Sequence, residues 1–283
     1  MSFKIILPTD FSKNAWNAIT YAADLFKEKE VTFYILNTYA IKGIALDGML
    51  LQSYGDQALE EAKVASEEGL DKVLQMLSFR NSNHKHNFVT LSQNNDLLSA
   101  LKDIVEKQDI DMVIMGTKGR TNARELAFGS NTTTVMEKLR NCPVMGVPLE
   151  ARFAVLKEIV FPTSYKTHFK RRELQYLIDI AQLKEANIAV VHVDQSDMLS
   201  ELQLNNKALL TTCFETVSHS FHRLSGSDPS EGVQHFVESR NSDMIAFINK
   251  KHFLFDSVFS NPMVKKIGMY ATVPVLALHD LRN

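Results

Sequence analysis

Lys4-Ile5-Ile6-Leu7-Pro8-Thr9-Asp10, near the start of the chain, returns as Glu158-Ile159-Val160-Phe161-Pro162-Thr163-Ser164. A near-continuous apolar run reads as a strand buried on both faces. A helical period follows each copy: Ala15, Ile19, Ala22 and Phe26 in the first, Leu174, Leu177, Ile178 and Ala181 in the second. Next comes a second strand-like run, Thr32-Phe33-Tyr34-Ile35-Leu36 and Ile188-Ala189-Val190-Val191-His192-Val193. Both copies later show Asp-Met before an apolar stretch, at Asp111 and at Asp243. Both close on a Pro-Val strand, Pro143-Val144-Met145-Gly146-Val147 and Pro274-Val275-Leu276-Ala277-Leu278.

Further helical periods lie between these strands, at Leu70, Val73, Leu74 and Leu77 and at Leu97, Leu101, Ile104 and Val105. Phe88-Val89-Thr90-Leu91 adds a short strand. Strands alternating with helices require crossover connections, and so a parallel sheet covered on both faces. The chain therefore reads as α/β, with two tandem, doubly wound, Rossmann-like five-stranded sandwiches at residues 1–150 and 151–283. In the second copy the middle strand is hard to place around residues 225–230.

With 283 residues, 45% hydrophobic and 23% charged, each half is large enough to bury its own core. A net charge of -2 gives no electrostatic case for nucleic acid as the main partner. Cys142 and Cys213 lie far apart, without metal-ligand spacing, and read as buried hydrophobes in a reducing compartment. No apolar run approaches the roughly 20 residues that span a bilayer. The N-terminus enters a strand directly, without the apolar core of a signal peptide. The expectation is a cytoplasmic protein with no membrane partner.

The segment with chemical content is Gly116-Thr117-Lys118-Gly119, nine further residues, then Gly129-Ser130-Asn131-Thr132. This Gly-x2-Gly-x9-Gly-Ser spacing follows the run Met112-Val113-Ile114-Met115 and precedes a helix carrying Val135 and Leu139. Glycines allow tight turns and close approach to a ligand. Amides at the start of the next helix can hold phosphate. In an open parallel sheet, ligands sit beyond the carboxyl ends of the strands. Pro8-Thr9-Asp10, Asn37-Thr38 and the glycine loop all fall at such ends. Asp10 could accept from ribose hydroxyls or a base amino group, or cap the helix starting near Ser12; both readings stand. Lys118 and Arg120 would pair with phosphate or stay solvated. Ser130 and Thr132 would cap the helix or bind phosphate oxygens.

Pro8-Thr9-Asp10 and the glycine spacing resemble the ATP-binding branch of the universal stress proteins. The repeat makes the match a tandem form with the motif in its N-terminal domain only. The resemblance implies strand order 3-2-1-4-5 and pairing through the last strand, here an intrachain pseudo-dimer, with a further homodimer left open. It implies a site for ATP, or for ADP or AMP, with any Mg2+ carried by the nucleotide. Carried over, Pro8, Thr9 and Asp10 would face adenine and ribose, with Thr38 beside the adenine. Met115 and Gly116 would approach the ribose and first phosphates. Lys118, Gly119, Gly129, Ser130, Asn131 and Thr132 would surround the phosphate chain. Thr38 and Asn131 depart from the usual Val.

The second copy lacks these residues. Ser164 replaces Asp10, Ile248-Asn249-Lys250-Lys251-His252 replaces residues 116–120, and Ser260-Asn261-Pro262 replaces Gly129-Ser130-Asn131. Pro262 also withdraws an amide. This domain is expected not to bind ATP in the family manner and to act structurally, its closing strand pairing antiparallel with that of the first.

No catalytic residue can be named. There is no Walker-type Gly-Lys-Ser/Thr ending, no Gly-x-Ser-x-Gly elbow and no Ser-Gly-Gly or His-x-x-His adenylation signature. The expectation is a nucleotide-binding regulator of the stress response, acting on an unnamed protein partner. A slow ATPase or nucleotidyl-transfer enzyme using the same loop is the alternative, as is an interaction module without ligand. No metal site is expected: His219 and His222, read on a helix, have no third ligand. His84-Lys85-His86 reads as an exposed polar run before a strand, His192 as a core residue, and Met49-Leu50-Leu51 as a packed helix start. Residues 166–172 read as a solvated face on which Arg171 and Arg172 could meet an anionic partner.

Overall fold

The computed structural model describes residues 2–40, 49–80, 83–117, 128–194, 198–226, 228–249 and 271–279. Its strands are β1 (Phe3–Pro8), β2 (Val31–Tyr39), β3 (His86–Asn94), β4 (Met112–Gly116), β5 (Val144–Val147), β6 (Glu158–Pro162), β7 (Asn187–Asp194), β8 (His219–Ser225), β9 (Met244–Asn249) and β10 (Val275–His279). The helices are α1 (Lys13–Leu25), α2 (Met49–Phe79), α3 (Leu97–Gln108), α4 (Ser130–Lys138), α5 (Arg171–Lys184), α6 (Glu201–Cys213) and α7 (Pro229–Arg240).

All ten strands form one sheet, in the order β3-β2-β1-β4-β5-β10-β9-β6-β7-β8. Each set of five has the order 3-2-1-4-5 and is parallel within itself. The two sets join antiparallel, Gly146 of β5 opposite Val275 of β10 and Val144 opposite Ala277. The expected pseudo-dimer is thus built by pairing of the two closing strands, which leaves neither as an open edge.

The cores divide by sheet face rather than by half. One cluster joins Ile5, Phe33 and Leu25 to Phe161, Leu177 and Phe214; the other joins Ile6, Val113 and Met136 to Val160, Phe247 and Val237. Across the junction, Tyr176 Oη donates to Asp111 Oδ1 at 3.5 Å, and the Tyr21 and Phe153 rings meet edge-on at 5.5 Å. Asn17 fixes the passage between halves, its Nδ2 donating to Pro148 O and Ala151 O, both at 2.8 Å.

Two sequence readings change. β3 begins at His86, which is half-buried with its ring edge-on to Phe33, so the polar run before it is shorter. The elusive middle strand is β8, which contains His219 and His222. At the sheet edge it buries little, so polar residues fill it and the apolar signal fades. Three apart on a strand, the two imidazoles face opposite sides. His219 packs by Phe214 and His222 lies 4.9 Å from the Phe236 ring. Among the described residues no three metal-ligating side chains gather. The side chains of Met49, Leu50 and Leu51 lie outside the described residues.

Candidate functional site

Pro8 ends β1, and the chain then turns sharply into α1. Thr9 donates its amide to Leu36 O at 2.8 Å and accepts from the Phe11 amide at Oγ1, 3.0 Å. Asp10 Oδ1 accepts from the Ser12 amide at 3.1 Å, and the Ser12 hydroxyl caps α1 by accepting from Ala15. The two readings of Asp10 are thereby separated: capping belongs to Ser12, while Asp10 closes the turn. Phe11 sits at φ 63°, and its ring fills the place where a Cβ on Gly69 of α2 would lie 2.3 Å away. Tyr165, at φ 56°, repeats the turn in the second half, with its amide donating to Thr163 Oγ1 at 3.0 Å.

Above this turn lies a cleft of about 190 Å³. The structure brings Pro8, Thr9, Asp10, Thr38, Met115, Gly116, Asn131 and Thr132 together on its walls, from the ends of β1, β2 and β4 and the first turn of α4. Ala15, Leu36, Asn37 and Leu97 also line it. Asn37, placed by the sequence at a strand end but given no role there, is the most telling of these. It is buried and donates from Nδ2 to Thr9 O at 2.7 Å, holding the turn that carries Asp10. A signal existed in the repeat: His192 occupies the equivalent place, with Nδ1 2.8 Å from Thr163 O.

Helix α4 starts at Gly129, which offers no side-chain cap. The Gly129 amide donates to Thr117 O at 2.6 Å, while Thr133 donates back to Gly129 O. The Thr132 hydroxyl donates to Gly116 O at 2.8 Å. Its proton is therefore committed to the end of β4, so towards an anion Thr132 offers its backbone amide. The amides of an uncapped first turn carry the positive end of the helix dipole. Lys118 and Gly119, with Arg120, lie outside the described residues.

Residues 1–148 match the sequence profile of the universal stress protein family. The chain belongs to that family. Universal stress proteins MJ0531 and MJ0577 of Methanocaldococcus jannaschii are 27% and 28% identical to it over 154 and 160 residues. Each alignment covers 51% of this chain, and 81% and 93% of the respective relative. The crystal structure of a universal stress protein from Archaeoglobus fulgidus superimposes with a TM-score of 0.71 at 17% identity, covering 98% of both chains. The fold, in its two-part form, is thus shared over the full length. No helix among the described residues is long and apolar enough to cross a membrane.

The second half of this universal stress protein differs where the cleft would be. Pro8 pairs with Leu36 and Pro162 with Val191, so Val193 stands where Thr38 does. Gly232, fourth residue of α7, stands where Ala100 does in α3. A Cβ on Gly232 would lie 2.9 Å from Val193 Cγ2, and one on Gly226 3.3 Å from Cγ1. Helix α7 therefore rests directly on the Val193 side chain. Residues 250–262, which include the replacements for the glycine loop, lie outside the described residues from Lys250 onward.

Proposed function

We propose that this universal stress protein binds one adenine nucleotide per chain, ATP or else ADP or AMP, as a regulatory ligand in the cleft of residues 1–150. The observation that carries the proposal is a carboxylate, Asp10, on one wall of a strand-end cleft whose other wall is the uncapped start of α4. Asp10 and Thr38 take the base and ribose between Leu97 and Met115. The phosphates run over Gly116 towards the amides of Ser130, Asn131 and Thr132, with Lys118 and Gly119 completing the loop. The cleft is smaller than the roughly 300–1,000 Å³ of pockets that enclose a whole ligand. It suits the nucleoside, with the phosphates lying outside along α4.

Residues 151–283 serve as the structural partner and bind no nucleotide; Val193 against Gly232 supports this reading, as does Ser164 in place of Asp10. The protein works in the cytoplasm, where occupancy of the cleft biases its conformation or its choice of protein partner during stress. Such a bias requires the nucleotide to favour one state energetically. Among the described residues the one carboxylate on the cleft is Asp10, which this reading assigns to the base and ribose, so bound ATP is held rather than turned over.

Calorimetry on the whole protein tests this, with one site expected. Gly129→Val should abolish binding without unfolding the chain, because Gly129, at φ -73° and ψ 165°, has backbone angles any residue adopts. Normal ATP affinity in that variant would falsify the site, and two sites per chain would refute a silent second half. Rapid ADP release would replace the regulator with an enzyme.

A further inference from the structure

Helix α4 is held from both halves of the chain. At its start the Thr132 hydroxyl donates to Gly116 O, within the first half. At its end the partner is Asn249, the last residue of β9, in the second half. Asn249 Nδ2 donates to Met136 O at 3.0 Å, and Asn249 O accepts from Arg140 Nη1 at 2.5 Å. Met136 O is one of the last-turn carbonyls that a helix leaves without an internal donor. Asn249 supplies that donor from across the junction. The sheet makes room for the contact: Gly146 of β5, paired with Val275 of β10, lacks the Cβ that would lie 2.8 Å from Met136 Cε.

The composition of α4 makes these anchors matter. Its first six residues, Ser130-Asn131-Thr132-Thr133-Thr134-Val135, are weak helix formers. Branched side chains lose rotamer freedom in a helix, and Ser and Asn compete for backbone hydrogen bonds. At nine residues α4 is also shorter than the roughly 12–15 at which an isolated helix becomes even marginal. The helix whose first-turn amides reach the cleft is therefore stabilised by what grips it more than by its own propensity. Met112 lies opposite Ile5 and Met244 opposite Ile159, so Asn249 is the counterpart of Thr117. A side-chain amide at this place is a departure of the second half from the first.

We infer that Asn249 and Arg140 form a clasp that positions α4 for phosphate, so that the second half sets the affinity of the first. This rests on the nucleotide reading of the cleft. Asn249 is a positioning residue: it touches no ligand and acts by favouring the helical state of α4, whose first-turn amides the phosphates require. Clasp and phosphates stabilise the same state from opposite ends, so each strengthens the other by the same factor. Nucleotide occupancy thereby bears on the junction between the halves.

The test uses the full chain. Asn249→Leu removes the donor at similar size, and Arg140→Met removes the guanidinium while keeping the stem. Without ligand, amide hydrogen exchange in residues 133–139 should quicken by about fivefold in either variant, the worth of one hydrogen bond, with exchange in α3 unchanged. Calorimetry should show ATP affinity lowered by about the same factor. Adenosine affinity should stay as it is, because adenosine has no phosphate to reach α4. Exchange in α4 that neither variant alters would overturn the clasp. Faster exchange with ATP affinity intact would overturn its role at the site, and equal losses for ATP and adenosine would overturn it as a general loosening of the chain. Failure of the nucleotide reading itself looks different: the parent chain binds no ATP while Asn249→Leu still quickens exchange in α4, and the link to phosphate then falls as well.

Discussion

Gly116 and Asn14 meet so closely that no methyl group fits between them: a Cβ on Gly116 would lie 2.7 Å from Asn14 Oδ1 and 2.9 Å from its carbonyl carbon. Asn14 is itself held by a 3.1 Å hydrogen bond from Nδ2 to Val147 O. The first glycine of the motif is thus required by the packing of α1 over the end of β4, before any ligand is considered. Gly116→Ala should destabilise the fold by about 1–3 kcal/mol, the usual cost of overpacking. Urea unfolding reads this directly, and an unchanged midpoint would disprove the packing account.

Thr132 ties the start of α4 to the end of β4 through its hydroxyl on Gly116 O. Thr132→Val keeps the shape and removes the proton, leaving a carbonyl without its donor at a cost of about 1–3 kcal/mol. Thr132→Ser should restore most of that loss. If the serine variant is as unstable as the valine one, the hydroxyl is not the cause.

Asn17 donates to two carbonyls of the passage between halves and accepts from Arg152 Nη1 at 2.6 Å. Asn17→Asp keeps the acceptor for Arg152 and removes both donors. A carboxylate would then face the Pro148 and Ala151 carbonyls at the sites of the lost bonds, with a loss of about 2 kcal/mol or more expected. Differential scanning calorimetry should show a lower melting temperature, and equal stability would show that the passage does not depend on these bonds.

Glu158 at the start of β6 is gripped by Arg240 through Nε and Nη2 and by the Ser242 hydroxyl, contacts that hold its carboxyl below the ordinary carboxylate value. A depressed folded value means that the stabilisation is complete above the unfolded pKa of about 4.3 and disappears as pH falls through the folded one. Glu158→Gln should therefore be less stable than the parent at pH 7. The difference should shrink once pH drops below about 4. A gap that is constant across this range would remove the ionic explanation.

The fold was legible because two copies of one pattern confirmed each other: Ile5 to Leu7 and Ile159 to Phe161 are buried strands in both halves. β8 was hidden because an edge strand has one fewer neighbour and tolerates His, Ser and Arg along its length. Most of the expected cleft residues meet on its walls, since strand ends in an open parallel sheet converge by topology. The role of Asn37, and the presence of Leu97 at the site, were not legible. One acts through a hydrogen bond to Thr9 O, the other through the packing of α3, and neither leaves a motif. The buried placement of Gln203 and Asn206 in α6 was likewise not legible, because it depends on their carbonyl partners Ser164 and Tyr165.

The junction of the two halves yields the last prediction. All four residues of β5 are buried, and its pairing with β10 depends on the second half. A fragment of residues 1–150 would expose an apolar strand edge, which is a template for another strand. Because β5 and β10 pair antiparallel, a second copy of β5 can take the place of β10 by a two-fold rotation. Sedimentation of the fragment should therefore show a dimer. A fragment that stays monomeric and soluble at high concentration would mean that β5 needs no partner, and the second half would lose its structural role.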